Sequence, residues 1–331
     1  MKRAIALGVL CAGLLAGCAG TSPDAPVAPV AATPAPAPAS MAPPAAADAD
    51  AGARLDAVPR IAIVSAFEPE LVLLRERLAQ PVVHRVHGVE FTTGLLQGRP
   101  VVLFLSGISM TNATMNTQRV LDRFNVRALV FSGIAGGVNP QLRLGDVTVP
   151  EQWAQYLEVL MAREATPGQF QAPPFIQDAT LPNYGMLFPR PVEVRSAAQP
   201  QVHRKFWFEV DPAMLAVARN LKVELADCKA GRCLSHKPQL QVGGNGVSGQ
   251  AFMDNAAFRD YTFKTFQANV LDMETAAVGM VAYSNGVPYI AFRSLSDLAG
   301  GGEGANEMGT FMGIAADNSA KVLLAFLAAW K

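Results

Sequence analysis

The chain has 331 residues, of which 50% are hydrophobic and 16% are charged. Its 27 Lys and Arg residues balance 27 Asp and Glu residues, so the formal net charge is zero. This balance excludes the basic surface on which nucleic-acid binding depends. The length allows one large α/β domain with additional terminal segments.

The first residues have the pattern of a secretory signal. Lys2 and Arg3 precede an apolar run over residues 4–16, which is too short to cross a bilayer as a permanent helix. Cys18 follows Leu-Ala-Gly, which resembles the bacterial lipobox, where the cysteine is lipidated and becomes the new N-terminus. Residues 1–17 are therefore predicted to be a lipoprotein signal peptide; the alternative is an ordinary signal peptide with a chance cysteine. The resemblance implies a lipid anchor on Cys18 at the bacterial outer membrane, facing the periplasm.

Residues 18–57 are nearly all Ala, Pro, Ser, Thr, Gly and Asp. Such a segment buries too little apolar surface to offset its ordering entropy, and proline extends it. It is therefore predicted to be a tether that holds a globular domain, residues 58–331, away from the membrane.

The globular part alternates apolar runs with helical patterns. In chain order, the patterns predict strands over 60–65, 89–96, 100–106, 127–132, 268–271 and 287–292, and helices over 68–78, 111–124, 212–221, 273–284 and 315–330. The alternation favours a single α/β domain with a central sheet flanked by helices. Residues 152–239, rich in proline and aromatic residues, break this rhythm. They are predicted to form an insertion beside the sheet that shapes a pocket wall.

Two cysteines lie within the predicted insertion. Cys228 and Cys233 are separated by four residues of a polar stretch. In an oxidising compartment this spacing favours a small disulfide loop, with free thiols as one alternative. A metal site is the other alternative, but His236 is the only further candidate ligand nearby, so no metal is predicted.

Four segments carry the candidate chemistry, each following a predicted strand or turn. They are residues 65–70 (SAFEPE), 132–137 (SGIAGG), 248–252 (SGQAF), and the pair 272–274 (DME) with 293–297 (RSLSD). Open α/β sheets place their sites just past the carboxyl ends of strands. Singly, each segment has a structural explanation, since glycine pairs permit tight bends and acidic residues decorate helix starts.

Together and in this order, the segments resemble the superfamily of purine nucleoside phosphorylases, uridine phosphorylases and methylthioadenosine/S-adenosylhomocysteine nucleosidases. Residues 270–277 (VLDMETAA) are similar to that family's EMEAAA segment, and residues 293–297 to its RxxSD segment. Residues 133–136 and 145–147 resemble the plant storage-protein branch. The resemblance implies a nucleoside phosphorylase-like domain with a mixed sheet, a purine nucleoside substrate, no cofactor and a homo-oligomer.

The resemblance also implies the catalytic roles. Cleavage of a purine N-glycosidic bond leaves negative charge on the base, so the base must be protonated or hydrogen-bonded at N7. Asp297 matches the family's acid for this task, because burial can keep a carboxyl protonated. Glu274 matches the carboxylate that accepts the ribose 2′ and 3′ hydroxyls. Arg293 matches the residue that positions the nucleophile or its base.

The remaining implied contacts surround the base and the ribose. Phe252 matches the residue that stacks on the base, the main chain of Met253 would read the base edge, and Met273 would pack beneath the ribose. The other predicted substrate-binding residues are Phe67, Ile134, Ala135, Gly136 and Ser296.

Three positions favour water over phosphate as the nucleophile. Where phosphorylases place two arginines and a hydroxyl residue, this chain has Glu70, Phe131 and Ile134. A carboxylate and two apolar side chains repel phosphate, and Glu70 matches the nucleosidase carboxylate that activates water. The sequence therefore favours a hydrolytic purine nucleosidase, with a phosphorolytic enzyme or a non-catalytic nucleoside-binding lipoprotein as alternatives. Ile134 and Phe67 depart from the hydroxyl residue and the Met usual in the family, so the substrate is predicted less narrowly than the reaction.

Overall fold

The computed structural model describes residues 53–331. The predicted signal peptide, the lipidation of Cys18 and most of the predicted tether lie outside these residues. The strands, in chain order, are β1 (Asp56–Ser65), β2 (Ala79–Val86), β3 (Val89–Leu96), β4 (Arg99–Leu105), β5 (Phe124–Gly137), β6 (Val147–Val149), β7 (Gln152–Gln155), β8 (Val159–Met161), β9 (Arg163–Thr166), β10 (Gln169–Gln171), β11 (Leu187–Pro189), β12 (Val192–Val194), β13 (His203–Lys205), β14 (Trp207–Glu209), β15 (Cys228–Lys229), β16 (Arg232–Cys233), β17 (Leu240–Val242), β18 (Asn245–Ser248), β19 (Ala268–Asp272) and β20 (Tyr289–Asp297). The helices are α1 (Glu68–Arg77), α2 (Met110–Arg123), α3 (Pro212–Arg219), α4 (Ala256–Phe266), α5 (Thr275–Asn285) and α6 (Met308–Ala329).

A large mixed sheet organises the described residues. Its main path runs β14-β7-β18-β19-β5-β1-β4-β3-β2, and β20, β6 and β17 branch from β5. At the centre of the sheet, the pairs β4–β1, β1–β5 and β5–β20 are parallel. At one edge, the pairs β2–β3 and β3–β4 are antiparallel. The helix pairs α1–α6 and α2–α5 pack against this sheet. The prediction of an α/β fold with a mixed central sheet flanked by helices is confirmed.

The apolar runs of the sequence form the centre of the sheet. Ile61, Ile63 and Val64 of β1 are fully buried because parallel strands are covered on both faces. Strand β1 begins at Asp56, four residues before the predicted start and inside the predicted tether. The edge strand β2 was not predicted, because most of its residues are exposed and it has no clear apolar face.

The glycine-rich segment after the predicted strand 127–132 is not a turn. Strand β5 continues without interruption from Phe124 to Gly137. It pairs with β1 along its first half, and residues 129–136 pair with β20. The tight bend considered as the structural explanation of this glycine pair does not occur, because these glycines allow close packing of neighbouring side chains.

The C-terminal helix α6 begins at Met308, seven residues before the predicted start at 315. By length and composition it could cross a membrane, since its mean hydropathy is 1.4. Its apolar residues include Leu323 and Phe326, which are fully buried and belong to the core beside β20. This packing explains the apolar composition of the helix.

The segment 152–239 differs from the predicted insertion, because parts of it belong to the central sheet. Strand β7 pairs with β18 in parallel, and β14 pairs with β7. The two-stranded pairs β8–β11, β9–β10 and β12–β13 lie outside that sheet. Cys228 and Cys233 face each other across the hairpin β15–β16 and are joined by a disulfide.

Candidate active site

A cavity of about 150 Å3 lies where several strands of the sheet end. It is lined by Ala66, Phe67, Glu70, Ile108, Ile134, Ala135, Gly136, Ala251, Phe252, Met253, Leu271, Asp272, Met273, Glu274, Ser296, Asp297 and Met308. The fold therefore brings Glu70 and Asp297 into one cavity with all nine predicted substrate-binding residues. Arg293 is not among the lining residues.

Arg293 instead lies behind the cavity wall, where it joins three acidic side chains. Its side chain is fully buried. Its Nε lies 2.8 Å from Asp272 Oδ2, its Nη1 lies 3.6 Å from Glu70 Oε1, and its Nη2 lies 3.5 Å from Glu274 Oε2. One guanidinium thus positions three carboxyl groups, because a buried cation is stable only when it is paired. Arg293 was predicted to position the nucleophile or its base, and its contact with Glu70 is compatible with that role.

Further contacts fix the plane of the guanidinium. Nε donates to Thr275 Oγ1 at 3.0 Å, and Nη1 donates to the Ile134 carbonyl at 3.2 Å. The guanidinium carbon lies 3.8 Å from the centroid of the Phe131 ring, which is cation–π geometry. Nη2 has no hydrogen-bond partner among the described residues. The phenyl ring of Phe131 therefore covers one face of the guanidinium, while the three carboxyl groups and the Ile134 carbonyl occupy the N–H edges that an anion would bind.

Glu70 occupies the first turn of α1 and is buried. The Ala66 N–H donates to its Oε2 at 2.6 Å, and the Ile134 N–H donates to its Oε1 at 2.7 Å. Burial raises the pKa of Glu70, while Arg293 and these backbone donors lower it. The carboxylate is held in one orientation, and its oxygens keep further lone pairs for a water molecule.

Glu274 stands at the start of α5, and its carboxyl faces the cavity. The Ser109 N–H donates to its Oε1 at 2.8 Å. Burial raises the pKa of Glu274 to about 8, Arg293 lowers it, and Asp272 and Glu70 raise it further. A carboxyl in this state can both donate to and accept from a pair of hydroxyl groups.

Asp297 ends β20 and lies in a different environment from the other carboxyls. Its Oδ2 accepts from the Ser296 hydroxyl at 2.9 Å, and its Oδ1 accepts from the Ala299 N–H at 2.9 Å. Burial raises its pKa, and the hydrogen bonds from Ala299 and Ser296 oppose that rise. The register of β20 against β5 shifts between Leu295 and Asp297, so Ser296 is the extra residue of a bulge. Bulges redirect side chains beside active sites.

The glycines of β5 explain how the two ends of the cavity are built. A Cβ at Gly133 would lie 2.1 Å from Arg293 Nη1 and 2.5 Å from Glu70 Oε1. A Cβ at Gly136 would lie 3.2 Å from Asp297 Oδ1. Three residues of extended chain span roughly 10 Å. Glu70 and Asp297 therefore lie at separate points along one strand, with room for a ligand between them.

The walls between these carboxyls are mainly apolar. Phe252, Met253 and Met273 all line the cavity. Phe252 and Ile108 are 57% and 50% exposed at the surface of this chain. Ile134 forms an apolar cluster with Ala315 and Ala316, against which Phe67, Met308 and Met312 pack.

Several site residues were not predicted from the sequence. Asp272 was quoted within a motif but given no role, although it accepts from Ser248, Thr275 and the Glu274 N–H and pairs with Arg293. The sequence signal that could have indicated a role for Asp272 was its position directly before Met273, a predicted substrate-binding residue. Ser109 has the unusual φ of 81°, which favours glycine, and nothing in the sequence indicated its contact with Glu274.

Other sequence expectations lie elsewhere. His203 and Arg204, which belong to the segment predicted to shape a pocket wall, do not line the cavity. His203 bonds the Tyr283 hydroxyl at 2.7 Å, and Arg204 pairs with Asp178. Within residues 53–331, no group of three or more His, Cys, Asp or Glu side chains has an arrangement suited to a metal ion.

The sequence profile of the Phosphorylase superfamily matches residues 60–328. The chain therefore belongs to this superfamily.

Its relatives narrow the comparison. The 5′-methylthioadenosine/S-adenosylhomocysteine nucleosidase of Tolumonas auensis is 29% identical over 272 residues, which are 81% of this chain and 98% of that protein. The nucleosidase of the same name from Bacillus cereus is 30% identical over 246 residues, covering 73% of this chain and 87% of that protein. A solved structure of such a nucleosidase from Colwellia psychrerythraea, in complex with adenine, has a TM-score of 0.60 and 25% identity, and the match covers 81% of this chain and 94% of that one.

Proposed function

We propose that this protein is an N-glycosidase that hydrolyses a purine nucleoside and releases the free base. One observation carries the proposal: a single cavity holds Glu70 and Asp297 at two separate points along β5, with apolar and aromatic walls between them. Enzymes that hydrolyse glycosidic bonds by direct water attack also use two carboxyls, spaced to leave room for the water. The superfamily membership and the nucleosidase relatives support the same activity.

The reaction begins at the base. Asp297 is buried with a raised pKa, so it is suited to donating a proton or a hydrogen bond to purine N7. The bond between C1′ and N9 then breaks, and its electron pair goes to the base. Glu274 holds the ribose hydroxyls while positive charge develops on the sugar. Acidic side chains lining the cavity favour that charge.

The attack is by water at C1′. Glu70 is oriented by the Ala66 and Ile134 N–H groups and accepts a proton from that water. The new C–O bond forms as the proton moves, so the products are free base and free sugar. Arg293 does not touch the substrate in this account; it holds the carboxyls in place.

Water is favoured over phosphate by the charge of the cavity. None of the described lining residues is Lys, Arg or His, whereas Glu70, Asp272, Glu274 and Asp297 are acidic. A phosphate dianion would enter this site without a cation to pair with, at a large desolvation cost. The nearest guanidinium, that of Arg293, is fully buried beneath Phe131 and the carboxyls.

The substrate class follows from the walls and the relatives. Phe67, Ile108 and Met308 give the cavity an apolar side, which fits a nucleoside with an apolar 5′ substituent better than a 5′ phosphate. The relatives are named for 5′-methylthioadenosine and S-adenosylhomocysteine. We therefore place this protein with methylthioadenosine/S-adenosylhomocysteine-type nucleosidases.

The proposal includes a homo-oligomer and an envelope location. Ile108 and Phe252 are apolar, half exposed and at the cavity, so a second copy covering them would complete the site. Sedimentation should therefore show at least a dimer, and an active monomer would contradict this.

The Cys18 lipobox supports a membrane anchor through an N-terminal lipid. If the Cys18→Ser variant is processed and partitions with membranes as wild type does, the lipid anchor on Cys18 is refuted.

The activity itself is tested by incubating the protein with methylthioadenosine, adenosine, inosine and guanosine and assaying free base. Release of base by wild type, and its loss in the Asp297→Asn variant, is the expected result. If no base is released from any of these nucleosides, the N-glycosidase proposal fails and the alternative, a non-catalytic nucleoside-binding protein, is favoured.

A further inference from the structure

The disulfide-closed hairpin β15–β16 docks on the first turns of α6. Arg232 Nη1 donates to the carbonyls of Gly309 and Thr310 at 3.1 and 3.3 Å. Lys229 Nζ donates to the Gly313 carbonyl at 3.3 Å and forms a 2.8 Å ion pair with Asp317. Two basic side chains therefore hold the N-terminal half of the helix from one side.

That part of α6 has little intrinsic helical stability. Gly309 and Gly313 lie within its first six residues, and each costs about 1 kcal/mol relative to alanine. The cap residue Glu307 makes no side-chain hydrogen bond to the helix. A Cβ at Gly313 would lie 3.5 Å from the Lys229 side chain, so the Lys229 stem packs directly on this turn of the helix. A helix start of low intrinsic stability gains order from such a contact.

The other side of the same helix start belongs to the active site. Met308 lines the cavity, and Met308 and Met312 pack against the apolar cluster of Ile134, Ala315 and Ala316. Asn306 Oδ1 accepts from the Met308 N–H at 3.0 Å, and the Asn306 side chain also lowers the pKa of Asp297. A change in the order of this turn would therefore move a cavity wall and the surroundings of the proposed acid.

Without its disulfide, the hairpin β15–β16 is too short to stay folded and hold its contact with α6. Each of its strands has two residues, and an isolated two-stranded hairpin is marginal even when longer. Its turn places Ala230 and Gly231 at φ of 50° and 78°, a conformation that costs energy for the alanine. The bond between Cys228 and Cys233 closes the hairpin and presents Lys229 and Arg232 together.

We infer that this hairpin is a redox-dependent clamp, in which Lys229 and Arg232 are positioning residues that order the α6 wall of the active site. The role in substrate binding rests on the proposed function, whereas the ordering of α6 does not. Reduction of the disulfide releases the hairpin, loosens residues 308–313 and weakens binding of the nucleoside. The chemistry is thiol–disulfide exchange: the Cys228–Cys233 disulfide gains two electrons and two protons to become two thiols, and a dithiol reductant is oxidised to a disulfide.

Two measurements on the Cys228→Ser/Cys233→Ser double variant test the clamp. Amide hydrogen exchange in peptides covering residues 308–318 should become faster than in the oxidised wild type. The KM for methylthioadenosine should rise roughly fivefold or more, the lower end of typical coupling between sites. The kcat should change less, because Glu70 and Arg293 make no contact with the hairpin.

A second set of variants keeps the disulfide. Arg232→Ala should raise KM and speed exchange in the same peptides, and Arg232→Lys should restore part of both, because a lysine can donate to one carbonyl. Arg85→Ala is the matched control, since Arg85 is an exposed arginine paired with Glu90 on the distant β2–β3 hairpin. It should change neither KM nor exchange in α6.

The outcomes separate the clamp from the proposed activity. Unchanged exchange in the double variant overturns the clamp, and so does faster exchange with an unchanged KM in an active enzyme. If the wild type releases no base, the proposed function fails, and the exchange comparison alone decides whether the hairpin orders α6.

Discussion

The two ends of the cavity use buried carboxyl groups in opposite ways. At one end, Glu70 and Glu274 are tied, with Asp272, to the single guanidinium of Arg293. At the other, Asp297 is held by the neutral Ser296 hydroxyl and a backbone N–H. Burial raises the pKa of Glu70 and of Asp297, but a cation opposes the rise only at Glu70. The difference teaches that one carboxyl is supported as a base and the other as an acid.

The largest expected effect is at the end that lacks a cation. Asp297→Asn keeps the size of the side chain and a hydrogen-bond donor but cannot deliver a proton. The rate of base release should fall about 10²–10⁴-fold. The KM should change much less, because Phe252 and Glu274 remain. Full activity in this variant, measured by release of adenine from methylthioadenosine, would show that Asp297 is not the acid.

At the Glu70 end of the cavity, removal of the Arg293 guanidinium should lower the free energy of unfolding. Arg293→Met leaves Asp272, Glu70 and Glu274 buried without their common partner, which should cost about 3–5 kcal/mol of unfolding free energy. Urea denaturation of the variant and wild type measures this loss. A Lys264→Ala variant is the control, because that exposed lysine pairs with Asp260 at the surface. An equally small change in both variants would mean that the buried network is not electrostatically coupled.

Phe252 tests the space between the two ends. Phe252→Ala removes the proposed stacking surface and should raise KM about tenfold, since stacking of a base on an aromatic ring is worth about 1–3 kcal/mol. The kcat should fall less, because neither carboxyl is touched. Steady-state kinetics with methylthioadenosine distinguishes these effects, and an unchanged KM would place the base elsewhere in the cavity.

The smallest effect concerns pH and Glu274. Its pKa is about 8 in the folded protein against an ordinary value of 4.5, so the folded state holds the proton more tightly. The stability linked to this group is complete below the ordinary value and is lost as the pH rises through about 8. The melting temperature of wild type should therefore fall relative to that of Glu274→Gln over this interval. A constant difference between the two proteins would exclude a raised pKa at Glu274.

Most central strands and the main site residues were predicted from the sequence, and the features that were not predicted have physical causes. Buried β-branched runs such as residues 60–65 predicted the central strands, and the motif residues Glu70 and Asp297 were placed in one cavity. The close packing at Gly133, Gly136 and Gly137 could not be predicted, because a glycine in the sequence indicates a turn as readily as a close contact. The start of α6 was missed for a related reason, since Gly309 and Gly313 weaken the helical pattern.

Residues that act on other site residues were harder to predict than those facing the substrate. Asp272 and Ser109 serve the site through contacts with Arg293 and Glu274, and such contacts follow no sequence spacing. The strands Gln152–Gln155 and Trp207–Glu209 have only three or four residues, too few to show a period, so their place in the main sheet was not predicted.

We propose that water, not phosphate, attacks the sugar at the Glu70 end of the cavity. The direct test is to identify the sugar product made by wild type and by Glu70→Gln across a phosphate titration. Wild type should release free sugar at a rate independent of phosphate, and Glu70→Gln should lose about 10²–10⁴-fold in rate. Formation of a sugar 1-phosphate as the main wild-type product, at a rate that rises with phosphate, would contradict the account.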